Sequence, residues 1–326
     1  MTRQALLLAA LLLACRAQEL PTIRVPVRLV SLPTLVFDGE NKLLSGLEPA
    51  DFRVLDNGHL QTVRLDSTAS PVSLAVAVQV NQDVREYVPF IAKVGSVLEA
   101  LVAGETGETA VVSYRGDVDV VKPFGAGDLA ASLAKIDAHG RQARMIDGAL
   151  RALGLLRDRR ATRARFLLLI GQPMDNGSES TLDALKEEAA RDNVTVYAVT
   201  LPQIHKAFVS DTFLLEGLSS RADRGGFRAS ADLIKLIPTL SHASAAMVGI
   251  DPFSVLTAAT GGTQFHIRKQ RELEFALSTM GVELRSEYLL SYTPTPADAG
   301  YHAIQVEIDH PGAKAYARPG YWLDGN

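Results

Sequence analysis

Hydrophobic positions along this chain follow two different periods. From Glu19 to Ser70 they alternate. Ile23, Val25, Val27 and Leu29 stand between Arg24, Pro26 and Arg28, the period-two pattern of a strand with one buried face. Leu32–Phe37 predicts a second strand, closed by the turn-rich Asp38-Gly39-Glu40-Asn41. Phe52–Leu55 predicts a third, and Asp56-Asn57-Gly58 predicts a hairpin with Leu60–Leu65 as its partner. From Ser73 the pattern changes. Ser73–Val80 is almost continuously apolar, as in a strand covered on both faces. Val84, Val88, Ile91, Val94, Leu98 and Leu101 then recur at helical spacing, with Pro89 tolerated only in the first turn. Thr109–Tyr114 and Val118–Val121 flank Arg115-Gly116-Asp117 and predict a hairpin. Helices are predicted at Asp128–Ile136, Met145–Leu156 and Leu182–Arg191, and strands at Phe166–Ile170 and Val194–Val199. After an irregular stretch, a helix at Asp251–Ala259 is stopped by Gly261-Gly262. Thr263–Ile267 predicts a strand and Glu272–Leu284 a last helix. The tail alternates again: Tyr288–Tyr292, a turn at Pro294–Gly300, then Ile304, Val306 and Ile308, and a closing strand Tyr316–Tyr321.

Strands alternating with helices in the middle predict an α/β, doubly wound, Rossmann-like unit. The β segments at the two ends are expected to pair as a small β-sandwich into which that unit is inserted. The divisions are 19–70, 71–285 and 286–326, with an insertion at 203–249 in the central unit. The insertion carries Phe208, Phe213, Leu214, Leu215, Leu233, Ile234, Leu236 and Ile237 at spacings of short amphipathic helices. Packing on the sheet edge and docking of a partner both account for them.

Composition narrows the classes. The chain has 326 residues, 47% hydrophobic and 21% charged, with net charge −4, so nothing points to nucleic acid. Residues 1–17 have the form of a signal peptide: Arg3, then an apolar run Ala5–Ala14, too short to span a bilayer. The only cysteine, Cys15, follows that run. Leu12-Leu13-Ala14-Cys15 is similar to a lipobox, which makes Cys15 a lipidation candidate; cleavage after Ala17 is the alternative. Both imply export, to a lipid anchor on the cell envelope or to the periplasm or beyond. A mature chain without disulfides depends on its core for stability.

Chemistry-bearing motifs are scarce. Gly-x-Ser-x-Gly, Walker, His-Glu-x-x-His and Gly-x-Gly-x-x-Gly patterns are all missing, and no two of the seven histidines have metal-ligand spacing. The histidines are expected as ordinary surface or strand residues. Gly104–Thr109, GETGET, precedes a strand and is expected to be a plain connection. Arg157, Arg159, Arg160, Arg163 and Arg165 follow a helix and are expected as a solvated basic cap on it.

Three stretches carry a resemblance: SGLEPADFRVLDNGHLQTV, LRSEYLLSYTP and the closing RPGYW. With the SLAVAVQVNQD strand and loop, they make the chain similar, over nearly its whole mature length, to von Willebrand factor type A-related proteins typical of acidobacteria. The resemblance implies a sheet of order 3-2-1-4-5-6, a ligand cleft at the carboxyl ends of the strands, and three loops that normally hold a divalent cation. The family's Asp-x-Ser-x-Ser falls on Gln79, Asn81 and Asp83. Its second-loop Thr falls on Ala143 and its third-loop Asp on Gln172, with Asp175 on a flexible Asp-Asn-Gly turn. Two carboxylates have become amides and a hydroxyl a methyl, whereas a hard dication needs anionic oxygens. The expectation is therefore no metal and no cofactor, with Gln79, Asn81 and Gln172 bonded to one another across a cleft that binds a protein partner without catalysis. The alternatives are a metal-dependent adhesion module using Asp83 and Asp175, and an enzyme with an unrecognised site.

Overall fold

The computed structural model describes residues 29–65, 71–100, 106–125, 127–159, 163–202, 251–267 and 270–323. Cys15, the Ile23–Leu29 alternation apart from Leu29, and the insertion 203–249 lie outside the described residues.

The apolar run after residue 71 forms β5 (Val72–Gln79), the centre of a six-stranded sheet. β6 (Glu108–Tyr114) lies on one side of it, and β8 (Ala164–Gly171), β9 (Val194–Thr200) and β10 (Gln264–His266) on the other, all parallel. β7 (Val118–Lys122) closes the β6 edge antiparallel, through the hairpin at Arg115-Gly116-Asp117. Numbered within the sheet the order is 3-2-1-4-5-6, the order the resemblance implied. The switch point lies between β5 and β8, whose outgoing chains turn to opposite faces.

Side-chain alternation along β5 builds two cores. Leu74, Val76 and Val78 face α1 (Val88–Leu98), α2 (Leu129–Leu133) and α6 (Gln270–Ser286), which contribute Ile91, Leu98, Leu133, Leu277 and Met280. Ala75 and Ala77 face α3 (Met145–Arg157), α4 (Leu182–Arg191) and α5 (Pro252–Thr260), which contribute Leu153, Leu156, Leu185, Phe253 and Leu256. Small residues under α3 let it approach closely. Gly148 lies against Tyr114, and a Cβ there would stand 2.7 Å from the Tyr114 Cβ. The helix expected from Val84 begins instead with a 3-10 segment, Gln82–Tyr87, because Pro89 cannot donate and so fits only at the start of α1. The helix expected at 128–136 contracts to α2, capped by the Asp128 side chain on Ala131 N–H.

Two four-stranded antiparallel sheets are assembled from both ends of the described chain. In one, β1 (Val30–Phe37) lies between β11 (Tyr288–Tyr292) and β13 (Lys314–Tyr316), and β4 (Arg64–Leu65) completes the β11 edge. In the other, β12 (Gly300–Ile308) lies between β2 (Phe52–Asp56) and β14 (Gly320–Leu323), with β3 (His59–Gln61) beyond β2. Val30, Leu32, Val36, Val54, Leu290 and Leu323 share one core between them. Two expected strands are each split. Leu60–Leu65 divides because residues 59–61 pair with β2 while 64–65 cross to β11. Tyr316–Tyr321 divides because Arg318 and Pro319 interrupt it as the chain passes from one sheet to the other.

Among its described residues, the basic run is bonded to the protein rather than only to solvent. Arg163 donates to Ser73 Oγ (2.7 Å), the Val72 carbonyl (2.7 Å) and the Thr106 carbonyl (2.9 Å), and pairs with Glu108 at 3.0 Å. Arg165 donates to the Asp192 carbonyl, Arg157 pairs with Asp192 and Glu188, and Arg159 pairs with Glu108. These arginines tie together the entering ends of β5, β6 and β8 and the carbonyl end of α4. Arg160 lies outside the described residues.

Candidate functional site

At the carboxyl end of β5 the chain leaves the sheet through Gln79, Val80 and Asn81. Val80 N–H donates to the Tyr114 carbonyl (3.0 Å), Gln82 N–H to the Gly140 carbonyl (2.9 Å), and His139 N–H to the Val80 carbonyl (3.0 Å). The first loop is thus stitched to β6 and to the loop before α3 by backbone alone. The loop after β8 closes the third side. Asn176 N–H donates to the Ala143 carbonyl at 3.1 Å, and the Asn176 side-chain oxygen accepts from Ala143 N–H.

Within this frame the amides form a directed chain. Gln172 N–H donates to Gln79 Oε1 at 2.6 Å, which fixes the Gln79 amide with its nitrogen toward Asn81. Gln79 Nε2 donates to Asn81 Oδ1 (2.9 Å), and Asn81 Nδ2 donates to Asp83 (3.0 Å) and to the Arg141 carbonyl (3.1 Å). One backbone donor therefore sets the polarity of every amide up to the Asp83 carboxylate. Gln172 Nε2 donates to the Pro202 carbonyl at 3.2 Å.

Gln79, Asn81, Ala143 and Gln172 are all buried, Asp175 is half-buried, and Asp83 is exposed. The first three loops' residues are brought together, but the amides form the floor of the site and Asp83 its rim. Asp175 is turned elsewhere. Its Oδ2 accepts from Ile146 N–H in the first turn of α3 (2.8 Å) and from Ser178 Oγ (2.6 Å), and its Oδ1 from Ser178 N–H (3.2 Å). A carboxylate there satisfies an orphan helix donor and opposes the positive end of the helix dipole. The Asp-Asn-Gly turn is accordingly a fixed cap, which corrects the expectation of a flexible one.

Asp147 emerges as an organising residue beside this cap. It accepts from Arg144 (2.7 and 2.9 Å), Glu179 N–H (3.0 Å) and Ser180 N–H (3.1 Å). Burial pushes its carboxyl up, but the Glu179 amide, Ser180 and Arg144 outweigh burial and hold it below the usual aspartate value. A folded pKa below the unfolded one stabilises above the ordinary carboxylate range, and the gain disappears as pH falls through the folded pKa. Asp147→Ala is expected to cost about 2 kcal/mol at pH 7 in urea denaturation, with the loss shrinking as pH falls through the folded pKa. Its sequence signal was available: Asp147 follows Arg144 by three residues at a helix start.

Beneath the amides, the Tyr114 hydroxyl is fully buried without a hydrogen-bond partner. Burial, and then the Asp175 charge, raise its pKa far above the usual tyrosine value. Among the described residues no group of three or more His, Cys, Asp or Glu is placed to hold a metal ion.

No family model and no curated protein sequence matches the chain. Solved structures are similar to it. A von Willebrand factor type A protein from Catenulispora acidiphila is 12% identical over 92% of this chain and 64% of its own, with a TM-score of 0.46. The vWF domain of the type V pili tip protein Mfa5 from Porphyromonas gingivalis is 16% identical over 32% of this chain and 38% of its own, at 0.28. The conserved hypothetical protein BatB from Bacteroides thetaiotaomicron is 14% identical over 40% of this chain and 66% of its own, at 0.31. The chain spans less than two-thirds of the length of each.

Proposed function

We propose that this is an exported, non-enzymatic protein-binding module, with the von Willebrand factor A-like unit inserted in a β-sandwich made by both termini and its metal site degenerate. The observation that carries the proposal is the amide chain Gln79–Asn81–Asp83 with Gln172 closing it. At the switch point of a doubly wound sheet, where ligands of such folds bind, side chains brace the three loops to one another. The donor set does not fit a hard dication. Gln79 Oε1 is directed at Gln172 N–H, Asn81 Oδ1 at Gln79 Nε2, Asp175 Oδ2 at Ile146 N–H and Ser178 Oγ, and Asp175 Oδ1 at Ser178 N–H. Ala143 contributes only a methyl. Asp83 alone leaves one exposed charge, too few for a dication that takes at least six oxygens. The alternative of an adhesion module held by Asp83 and Asp175 requires Asp175 to abandon Ile146 and Ser178.

In this proposal the partner contacts the rim that the buried amides hold in shape: Asp83, Arg141 and the 175–180 turn. The signal-peptide-like residues 1–17 and Cys15 support a location at the cell envelope.

Calorimetry with magnesium and with manganese is expected to give no saturable heat at millimolar metal, and chelator is expected to leave the melting temperature unchanged. Combining Gln79→Asp, Asn81→Ser, Asp83→Ser, Ala143→Thr and Gln172→Asp is expected to create a magnesium-dependent rise in melting temperature. Magnesium-dependent stabilisation of the unmodified protein, lost in Asp83→Ala, contradicts the proposal. Partner binding is tested with a photocrosslinking residue at position 83 in the native host. Failure to capture any protein there, with capture from a control position elsewhere, contradicts the assignment of the rim.

A further inference from the structure

The core between the two four-stranded sheets encloses a charged cluster that shares no residue with the cleft. Asp56 ends β2 and His302 lies on β12, each 2% exposed. His302 Nδ1 is 2.6 Å from Asp56 Oδ1, and His302 Nε2 is 2.6 Å from the Asp298 carbonyl. Asp56 Oδ2 accepts from Tyr292 (2.9 Å) and Tyr321 (2.7 Å).

Counting donors fixes the proton content. The Asp298 carbonyl only accepts, so Nε2 carries a proton. The 2.6 Å contact between Nδ1 and Asp56 needs a second proton, on whichever side of it that proton sits. The pair therefore holds one proton more than an ionised Asp with a neutral His. Burial opposes the charge, but the Asp298 carbonyl and then the Asp56 hydrogen bond and charge outweigh it, and His302 titrates above the ordinary histidine value. The other groups facing the pair are the Asp298 carboxylate, whose charge also favours the protonated ring, Tyr321, stacked on the imidazole at 4.9 Å between ring centroids, Tyr292, and Arg318, whose guanidinium lies 5.4 Å from the centroid of the Tyr321 ring. Burial pushes the Arg318 guanidinium down to about 10.

The cluster joins parts of the chain far apart in sequence. Asp298 belongs to the turn between β11 and β12. Gln61 grips the same turn, donating to the Thr295 carbonyl (2.9 Å) and accepting from Thr295 N–H (3.0 Å). Asn57, next to Asp56, exchanges hydrogen bonds with the Ala303 backbone (2.8 and 2.9 Å).

We propose that His302 and Asp56 form a proton-held clasp that fastens the 293–299 turn and the C-terminal strands to the N-terminal β2–β3 hairpin, and that loss of this one proton releases that end of the two-sheet unit. The sign follows from a folded pKa above the unfolded one. The clasp's stabilisation is complete below the ordinary histidine value and is lost as pH rises through the folded pKa. Above that value the opening constant grows up to tenfold per pH unit, the slope of a single proton.

The test uses the full chain in two measurements. Nitrogen-15 spectra of the histidine rings are expected to show both His302 nitrogens protonated at pH 7, with a titration midpoint above the ordinary histidine value. Hydrogen exchange, corrected for intrinsic rates, is expected to show protection of residues 293–303 falling by tenfold or more between pH 7 and pH 9.5. In His302→Gln, the same segment is expected to be weakly protected at both pH values. An unprotonated Nδ1 or Nε2 signal for His302 at pH 7 overturns the proposal. So does protection of 293–303 that is unchanged with pH in the wild-type chain. The spectral measurement needs no variant and stands even if His302→Gln fails to fold.

Discussion

Asp56→Ala is expected to lower the stability of the protein by about 3–5 kcal/mol, the cost of leaving a buried charge without its partner. Asp56 is the only carboxylate touching His302 in the cluster, and its second oxygen receives both Tyr292 and Tyr321. Alanine strands a protonated ring and two buried hydroxyls at once, and none of them reaches water from a core this closed. Removing one donor is a milder change, so Tyr292→Phe is expected to cost about 1 kcal/mol. Urea denaturation at pH 6.5 measures both. An Asp56→Ala protein within 1 kcal/mol of wild type shows that the cluster contributes no net stability and that its charge is relieved some other way. The comparison also bears on the clasp, since the Asp56→Ala penalty should narrow at alkaline pH, where wild type has already lost the proton.

Gly262→Ala is expected to cost about 3 kcal/mol or more, at the upper end for an overpacked interior. Gly261 ends α5 in the left-handed region, φ +80°, and Gly262 then passes directly over the backbone of β9. A Cβ at 262 would stand 2.8 Å from the Val196 carbonyl carbon and closer still to its oxygen, both backbone atoms that cannot rotate away. The same crossing carries the hydrogen bonds Ala198 N–H to the Thr263 carbonyl (3.1 Å) and Val196 N–H to Thr260 Oγ1 (2.9 Å). Relief requires β10 to move off the sheet edge. Thermal melting reads the loss, and hydrogen exchange of Ala198 and Val199 locates it. A variant as stable as wild type shows that this crossing yields more easily than its contacts imply.

Much of the α/β unit was legible because each of its signals is local. A buried run such as Ser73–Val80, a helical repeat such as Met145–Leu156 and a hairpin such as Arg115-Gly116-Asp117 depend on a few neighbours in sequence. The loop positions of the candidate site were legible for the same reason. A strand ending at Gln79 and another ending at Gly171 place Asn81, Asp83 and Gln172 at one end of the sheet once the strand order is given. Where each side chain pointed was not legible. Asp175 reads as a spare ligand in sequence, yet it caps α3, because the loop after β8 reaches the unsatisfied N–H groups of that helix's first turn only once β8 has been laid beside β5. The arginines after α3 read as a solvated cap. The carbonyls of Val72, Thr106 and Asp192 that bind them come from three separate segments, and no local pattern announces that meeting.

The sequence alone therefore determined the periodicities, the helix stops, the lack of the Gly-x-Ser-x-Gly, Walker, His-Glu-x-x-His and Gly-x-Gly-x-x-Gly patterns and the amides at 79 and 172, since all of these are properties of residue type and spacing. The tertiary structure decided the hydrogen-bond polarity that runs from Gln172 N–H to Asp83, the orphaned hydroxyl of Tyr114 and the proton shared by Asp56 and His302. Those depend on which donor meets which acceptor out of water, across separations of up to 246 residues for Asp56 and His302. A chain bonded to water has no reason to choose among such partners; burial makes every unpaired donor costly and so selects one arrangement.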